Sequence, residues 1–264
     1  MKKLRGEVEW ELTWFCQLIV NTVDENILAT MKDAGCSMIS YGFESYSPIV
    51  LKSMRKAISP QQIDFALKNT MKHKMTIQAN FIFGDVAETK ESARITLDYW
   101  KENCEGQVWL DFIQPYPGSE IYAHCINRGL IRDKLEFIRT GITRFSLNMT
   151  DNMSEREFRE LRKEISHLSR KYHRYVKPTS ILKKGESESI RIKCPFCAMI
   201  NEYNHCKISN HINFGFHAVC RHCYKRFQVV SYFQYIVYRK MRGLIVPYLS
   251  ARRWLRLLVL RKRK

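Results

Sequence analysis

Two Cys-x-x-Cys pairs stand close together in the C-terminal part of this 264-residue chain. Cys194 and Cys197 form the first pair, and Cys220 and Cys223 form the second. Because each pair can present two thiolates to one side of a metal ion, the two together can complete a closed tetrahedral site. The spacing therefore predicts a structural zinc ion held by all four cysteines, with no open position for catalysis.

The residues around these cysteines predict a small β module over residues 190–230. Ile212–Phe216 and Arg226–Val230 are rich in aromatic and β-branched residues, and the layout is typical of a zinc ribbon. A module this small cannot fold on its apolar core alone, so zinc would supply about 10 kcal/mol of its stability. The competing sulfur and imidazole groups are expected in surface or packing roles: Cys206, His205, His211, His217 and His222.

Three further turns combine glycine with polar residues: Gly42-Phe-Glu-Ser45, Phe83-Gly-Asp-Val-Ala-Glu-Thr89 and Gln114-Pro-Tyr-Pro-Gly-Ser119. A carboxylate just past a strand can accept hydrogen bonds from the two hydroxyls of a ribose, and glycine lets a ligand approach the backbone. Taken singly, each turn is also what an ordinary loop contains.

A strand-then-helix pattern that repeats four times positions these turns. The predicted strands are Trp10–Val20, Ser37–Phe43, Met75–Phe83 and Gln107–Gln114. Their spacing of about thirty residues is typical of βαβ units in a parallel sheet. We therefore expect an α/β fold over residues 1–150, either an open sheet or a partial barrel, with ligands at the carboxyl ends of the strands.

In order and spacing, these motifs resemble the C-terminal half of a radical S-adenosylmethionine (SAM) barrel, in the branch that often carries a cobalamin-binding domain. The resemblance covers about residues 8–175 and rests on these segments: Met31–Cys36, Ser40–Ser45, Val50–Lys56, Phe81–Gly84, Glu88–Thr89 and Pro115–Ser119. It implies SAM-dependent radical chemistry, such as methyl transfer. It also implies that Gly42, Glu44 and Ser45 contact the SAM ribose. Gly84, Glu88, Thr89, Pro117 and Gly118 would line the adenosine and substrate side.

The sequence also departs from that family. The Cys-x-x-x-Cys-x-x-Cys motif that binds a 4Fe-4S cluster occurs nowhere in the chain, and Ile19 stands where arginine is frequent. Without a reducible cluster SAM cannot be cleaved homolytically. The sequence therefore predicts a C-terminal fragment of a longer enzyme that is not catalytically competent alone.

The cluster, and any cobalamin, would then come from missing upstream segments or from a separate polypeptide that carries the N-terminal half of the barrel. The first strand would be left as an apolar edge that could pair with such a partner. The alternative is a non-catalytic zinc-ribbon protein that binds nucleic acid or another partner and retains the barrel segment as a relic.

Charge divides the chain. The formal net charge is +18, yet residues 1–150 balance 18 basic against 18 acidic side chains. A charged helix is predicted within residues 151–180, opened by Ser154-Glu-Arg-Glu157 and ended by Pro178, and residues 181–189 are expected to form a linker. The tail, residues 231–264, carries ten basic side chains and no acid.

The tail interleaves arginine with Trp254 and leucines, so it is expected to be an amphipathic basic segment. Three roles stay open: contact with an anionic membrane surface, contact with nucleic acid, or packing on the barrel. No apolar run reaches the roughly 18 residues of a membrane helix, and no signal peptide is predicted. We expect a cytoplasmic protein, with peripheral membrane association through the tail left open.

Overall fold

The computed structural model describes residues 1–8, 12–141, 147–172 and 174–240. The chain divides into two compact units, Met1–Tyr172 and His173–Lys264. The boundary follows the predicted charged helix, which therefore belongs to the first unit.

The first unit is built on a parallel sheet of four strands in the order β1-β2-β3-β4. The strands are β1 (Trp14–Leu18), β2 (Cys36–Glu44), β3 (Thr76–Phe83) and β4 (Val108–Phe112). The predicted α/β fold is confirmed. The first strand is shorter than the predicted Trp10–Val20, because Val20–Thr22 form a helical turn; residues 9–11 lie outside the described part.

Helices connect and follow these strands. They are α1 (Lys2–Glu7), α2 (Glu25–Asp33), α3 (Pro48–Ser53), α4 (Pro60–Lys72), α5 (Lys90–Asn103), α6 (Glu120–Asn127), α7 (Lys134–Glu136) and α8 (Glu155–Tyr172). Ser59 and Thr89 begin α4 and α5 with reciprocal capping boxes. At α2 the cap is Asp24, which accepts a hydrogen bond from the backbone N–H of Ile27.

Helices of the described residues cover one face of this sheet. Alternate residues of β2 and β3 (Ile39, Tyr41, Phe43, Ile77, Ala79, Phe81 and Phe83) are buried against side chains of α2, α4, α5 and α8. The residues between them point to the other face. There Gln78 and Asn80 are exposed, and Phe15, Ile19 and Trp109 are 70%, 64% and 42% exposed. This open face is unusual, since parallel sheets normally have both faces covered.

Residues 174–240, the described part of the second unit, form two three-stranded sheets and one helix. One sheet has the order β5-β10-β9 and the other β6-β7-β8. The elements are β5 (Tyr175–Val176), β6 (Ser180–Lys184), β7 (Ser187–Lys193), β8 (Ile200–Cys206), β9 (Gly215–Val219), β10 (Arg226–Val230) and α9 (Tyr232–Lys240).

The linker predicted over residues 181–189 is wrong. These residues form most of the antiparallel hairpin of β6 and β7, which turns at Gly185 with a φ of +62°. Their polar side chains indicated a linker, but Ile190 and Ile192 further along β7 are fully buried and anchor the hairpin in the core. The polar residues are those of a half-exposed strand, for which alternation over so few positions is a weak signal.

None of the helices in the described ranges is long and apolar enough to cross a bilayer. Of the predicted basic tail, only residues 231–240 are described, and these form α9 after Ser231. Residues 241–264, including the arginine and leucine repeats, lie outside the described residues, so that prediction stays open.

Candidate cofactor cavity and four-cysteine cluster

A cavity of about 520 Å³ opens in the first unit near the carboxyl ends of β2, β3 and β4. The strand ends and the turns after them contribute Glu44, Ile82, Asp85, Val86 and Ile113. The helices and the turns beside them contribute Ser53, Met54, Arg55, Lys56, Glu120, Ile121 and His124. Ligands of parallel α/β proteins bind at this end of the sheet. Of the eight SAM-site residues implied by the resemblance, Glu44 is the one that lines this cavity.

Glu44 is placed by an irregularity at the end of β2. The pairing of β2 with β3 shifts between Gly42 and Glu44, and Glu44 has a φ of +61°. Such a conformation costs free energy for a residue other than glycine and is often found at functional sites. Oε1 of Glu44 accepts a hydrogen bond from Nζ of Lys56 at 2.8 Å.

Gly42 leaves room for the side chains of this ion pair. A Cβ atom at position 42 would lie 2.7 Å from Oε1 of Glu44 and 3.4 Å from Nζ of Lys56. Since real Cβ atoms do not approach oxygen so closely, any side chain here would displace the carboxylate. Gly42 therefore supports the site by leaving space for Glu44.

Ser45 faces the protein interior and is 1% exposed. Its Oγ lies 3.1 Å from Oγ1 of Thr96 on α5 and accepts a hydrogen bond from the backbone N–H of Ser47 at 3.1 Å. Thr96 also accepts a hydrogen bond from the N–H of Tyr46. Ser45 thus fixes the turn after β2 against α5, and these contacts hold the backbone next to Glu44 in place.

Gly84, Glu88 and Thr89 build the turn between β3 and α5. The buried Oε2 of Glu88 accepts a hydrogen bond from the N–H of Gly84 at 2.5 Å, and Gly84 has a φ of +99°. Burial raises the pKa of Glu88 to about 8, while Thr89 caps α5. The residues of this turn that line the cavity are Asp85 and Val86, and not Gly84, Glu88 or Thr89.

Pro117 and Gly118 lie in the exposed turn before α6, where Gly118 has a φ of +91°. This turn directs α6 toward the cavity, and the cavity side chains come from the helix itself: Glu120, Ile121 and His124. Sequence reasoning missed Lys56, Asp85 and His124. For Lys56 a signal existed, since it ends the Val50–Lys56 segment on which the resemblance partly rests. Asp85 lies in the turn Phe83–Thr89, but the resemblance does not imply a role for it.

The four predicted cysteines converge in the second unit, where their Sγ atoms all lie within 4.8 Å of one another. The Sγ atoms of Cys194 and Cys223 are 3.7 Å apart, and those of Cys197 and Cys220 are 3.6 Å apart. Metal–sulfur bonds of about 2.3 Å in a tetrahedron require S–S distances of about 3.8 Å. The four-cysteine cluster therefore has the geometry of a metal site.

Amide groups also face these sulfur atoms. The backbone N–H of Phe196 donates to Sγ of Cys194, and that of His222 donates to Sγ of Cys220, both at 3.4 Å. Burial acts to raise the pKa of Cys220. Backbone N–H groups and the Asn201 amide outweigh this effect and lower the pKa to about 6. These donors favour the thiolate of Cys220, the form that binds metal, whereas burial raises the pKa of Cys194 and Cys223.

Within the described ranges, no other group of three or more potential ligands is gathered closely enough to hold a metal. His211 instead pairs with Glu188 at 2.7 Å, the thiol of Cys36 contacts only one other cysteine, Cys16, and Cys104 and Cys125 are buried. The described residues of the first unit therefore do not fit a 4Fe-4S cluster.

No protein-family profile matches the chain. In sequence it is 31% identical over 121 residues to an uncharacterized methyltransferase of Pyrococcus horikoshii, covering 46% of this chain and 26% of that protein. It is 29% identical over 130 residues to the bacteriochlorophyllide d C-12(1)-methyltransferase of Chlorobaculum tepidum, covering 48% and 28%. The chain thus spans only about a quarter of the length of these curated relatives.

Among solved structures, the chain resembles TsrM of Kitasatospora setae, a radical SAM methyltransferase with cobalamin and a 4Fe-4S cluster bound. The TM-score is 0.40 at 17% identity, over 47% of this chain and 24% of that one. Other solved structures that resemble part of the chain, at 13–17% identity, include HemN of Escherichia coli, a radical SAM enzyme, and OxsB, a cobalamin-dependent one.

Proposed function

We propose that Met1–Tyr172 is the SAM-positioning part of a radical SAM enzyme that transfers methyl groups. The observation that carries this proposal is the placement of Glu44, a carboxylate at the carboxyl end of a parallel strand on the edge of a cavity of about 520 Å³. That volume is within the usual range for small-molecule sites. Sequence similarity to two curated methyltransferases supports the reaction class.

Within this site, Glu44 is the residue that we assign to the SAM ribose. Lys56 engages Oε1, so Oε2 is the acceptor that we assign to the ribose hydroxyls. SAM itself supplies the methyl group and a cleavable sulfonium bond. We assign Ser45 and Gly42 to holding Glu44 in place and not to contact with the ligand. Glu88 in the same way holds the turn that carries Asp85.

A second part of the proposal concerns the reducing cluster. The described residues of the first unit do not fit a 4Fe-4S cluster, so the cluster and any cobalamin would be supplied by further polypeptide. We infer that this chain alone does not cleave SAM. The open sheet face supports the inference, because exposed Phe15, Ile19 and Trp109 would be covered by the remaining strands and helices of a barrel.

The edge of the sheet at β1 also supports the inference that further polypeptide completes the barrel. Among the described residues β1 pairs with β2 only, which leaves its other edge able to accept a strand. A polypeptide that carries the N-terminal half of the barrel would extend the sheet at β1 and close the face over the cavity.

For the second unit, we propose that the four-cysteine cluster binds one structural zinc ion. Four thiolates at tetrahedral spacing leave no position for water or substrate. The zinc would stabilise β7 to β10 around the buried Cys194 and Cys220 and take no part in methyl transfer.

SAM binding by the full chain tests the main proposal. Saturation-transfer NMR should detect SAM bound to the wild-type chain, and Glu44→Gln should weaken binding at least about tenfold, because an amide accepts the ribose hydroxyls less strongly than a carboxylate. The matched control is Glu120→Gln, which alters a carboxylate in the same cavity that pairs with the exposed Arg55. SAM that fails to bind the wild-type chain, or equal losses in both variants, would contradict the proposal.

A further inference from the structure

The second unit carries nearly all of the net positive charge of the protein. Residues 173–264 contain 20 Lys and Arg against 3 Asp and Glu, whereas residues 1–172 contain 24 against 23. This separation assigns +17 of the +18 formal charge to one unit of 92 residues. A field of this sign attracts polyanions at long range.

Three acidic side chains oppose this charge, and two of them have partners within the unit. Glu188 pairs with His211 at 2.7 Å and accepts a hydrogen bond from the N–H of Ile208 at 3.2 Å. Glu202 pairs with Arg191 at 3.3 Å and accepts from Ser189 at 2.8 Å. Two of the three carboxylates are thus engaged inside the unit.

Cations and aromatic rings adjoin one another at the two Cys-x-x-Cys turns. The guanidinium of Arg221 lies 5.7 Å from the centre of the Tyr203 ring, and Nζ of Lys225 lies 5.5 Å from the centre of the Phe196 ring. Arg221 and His222 are exposed between the second pair of cysteines. We name Phe196, Tyr203, Arg221, His222 and Lys225 the knuckle surface.

The cluster makes this surface rigid. Phe196 lies between Cys194 and Cys197, and Arg221 and His222 lie between Cys220 and Cys223, so the convergence of the four sulfur atoms joins both turns. The N–H of Arg221 also donates to Oδ1 of Asn201 at 2.7 Å, and the Tyr203 hydroxyl donates to the carbonyl of Val219 at 2.8 Å. The rings and cations are therefore held before any ligand arrives.

We propose that the knuckle surface binds single-stranded nucleic acid. Its cations would contact phosphates, and its aromatic rings and the Arg221 plane would stack on unpaired bases. A single strand fits better than a duplex because its bases expose their faces. This activity is separate from SAM binding, so its failure leaves the proposed function of the first unit unaffected.

Fluorescence anisotropy with the zinc-loaded full chain tests the proposal. The probes are labelled twelve-nucleotide oligo(U), oligo(dT) and a twelve-base-pair duplex. We expect tighter binding of single strands than of the duplex, and affinity that falls steeply between 50 and 200 mM salt. Preference for oligo(U) or oligo(dT) would identify the strand as RNA or DNA, and either preference supports the proposal.

Two variants distinguish binding at the knuckle surface from nonspecific attraction to the net positive charge of the unit. Arg221→Ala and Phe196→Leu should each weaken single-strand binding at least about fivefold. The control, Arg191→Ala, removes the same charge from β7 and should change affinity less than about twofold. Native mass spectrometry confirms that each variant retains its metal.

Three results would overturn the proposal. One is the absence of oligonucleotide binding at 50 mM salt, and another is an equal loss in Arg221→Ala and Arg191→Ala. The third is binding to phosphatidylserine vesicles that exceeds binding to oligonucleotides, which would assign the charge to a membrane surface instead.

Discussion

The side-chain nitrogen of Lys56 lies 2.8 Å from Oε1 of Glu44, across the turn that contains α3. The Glu44 side chain is 18% exposed and the Lys56 side chain 40% exposed, so this ion pair stands at the boundary between protein and cavity. It links the end of β2 to the segment before α4. We interpret it as the contact that fixes the direction of the Glu44 carboxylate.

Lys56→Met should weaken SAM binding about fivefold to tenfold while leaving the free energy of unfolding within about 1 kcal/mol, because partly exposed ion pairs contribute little stability. SAM titration followed by urea unfolding measures both quantities. Arg55→Met is the control, since Arg55 pairs with the exposed Glu120. A Lys56→Met chain that binds SAM like the wild type would show that the ion pair does not orient Glu44.

Gly42→Ala should weaken SAM binding. The new Cβ would lie 2.7 Å from Oε1 of Glu44, and the carboxylate would have to turn away. Gly118→Ala serves as the comparison, because a Cβ at that exposed turn would meet nothing within 4 Å, although its φ of +91° adds some strain. Retained SAM binding in Gly42→Ala would contradict the assigned role of Glu44.

The buried Glu88 predicts a pH dependence of stability. Burial raises the pKa of Glu88 from 4.5 to about 8 in the folded chain, so the folded state favours the protonated acid. Its contribution to stability is complete below pH 4.5 and is lost as pH rises to about 8.

Urea unfolding between pH 4 and 9 measures this effect. Over the window from about 4.5 to 8, Glu88→Gln should flatten the fall in stability, because an amide cannot ionise yet still offers an acceptor to Gly84. Parallel pH profiles for the wild type and the variant would show that Glu88 is ionised in the folded chain.

Removal of metal should affect the second unit alone. Native mass spectrometry should show one zinc ion per chain, absent in Cys194→Ser. Hydrogen exchange should then speed up over β7 to β10 and stay unchanged in β2 and β3, since the four cysteines belong to or pack against the core of the second unit. Cys206→Ser is the control that should retain zinc. A metal-free chain with full protection in β7 to β10 would contradict a structural zinc site.

Much of the fold follows from local sequence. Alternating apolar residues in β2 and β3 indicate strands because they bury one face of the sheet. The caps at Ser59 and Thr89 indicate helix starts because their side chains accept hydrogen bonds from backbone N–H groups of the first turn. The cysteine cluster could also be predicted, since two short turns fix the ligand spacing. The hairpin of β6 and β7 could not, because its polar strand is stabilised by distant residues such as Glu202.

Whether each site side chain points to the cavity or to the protein interior was harder to predict. Glu44 and Ser45 are adjacent in one motif, yet the shift in pairing after Gly42 turns Glu44 to the cavity and Ser45 to Thr96 on α5. Glu88 likewise faces the interior because its carboxylate satisfies the N–H of Gly84. Such outcomes depend on partners that lie far away in sequence or on backbone dihedrals that a motif does not reveal.

The proposed function of the first unit requires that the carboxylate of Glu44 binds an adenosyl ribose. A crystal structure of the full chain soaked with S-adenosylhomocysteine tests it most directly. We predict both ribose hydroxyls within hydrogen-bond distance of the Glu44 carboxylate, about 2.5–3.0 Å, with Lys56 still paired to Oε1. Nucleoside bound elsewhere on the chain, or a cavity that stays empty at millimolar ligand, would contradict the claim.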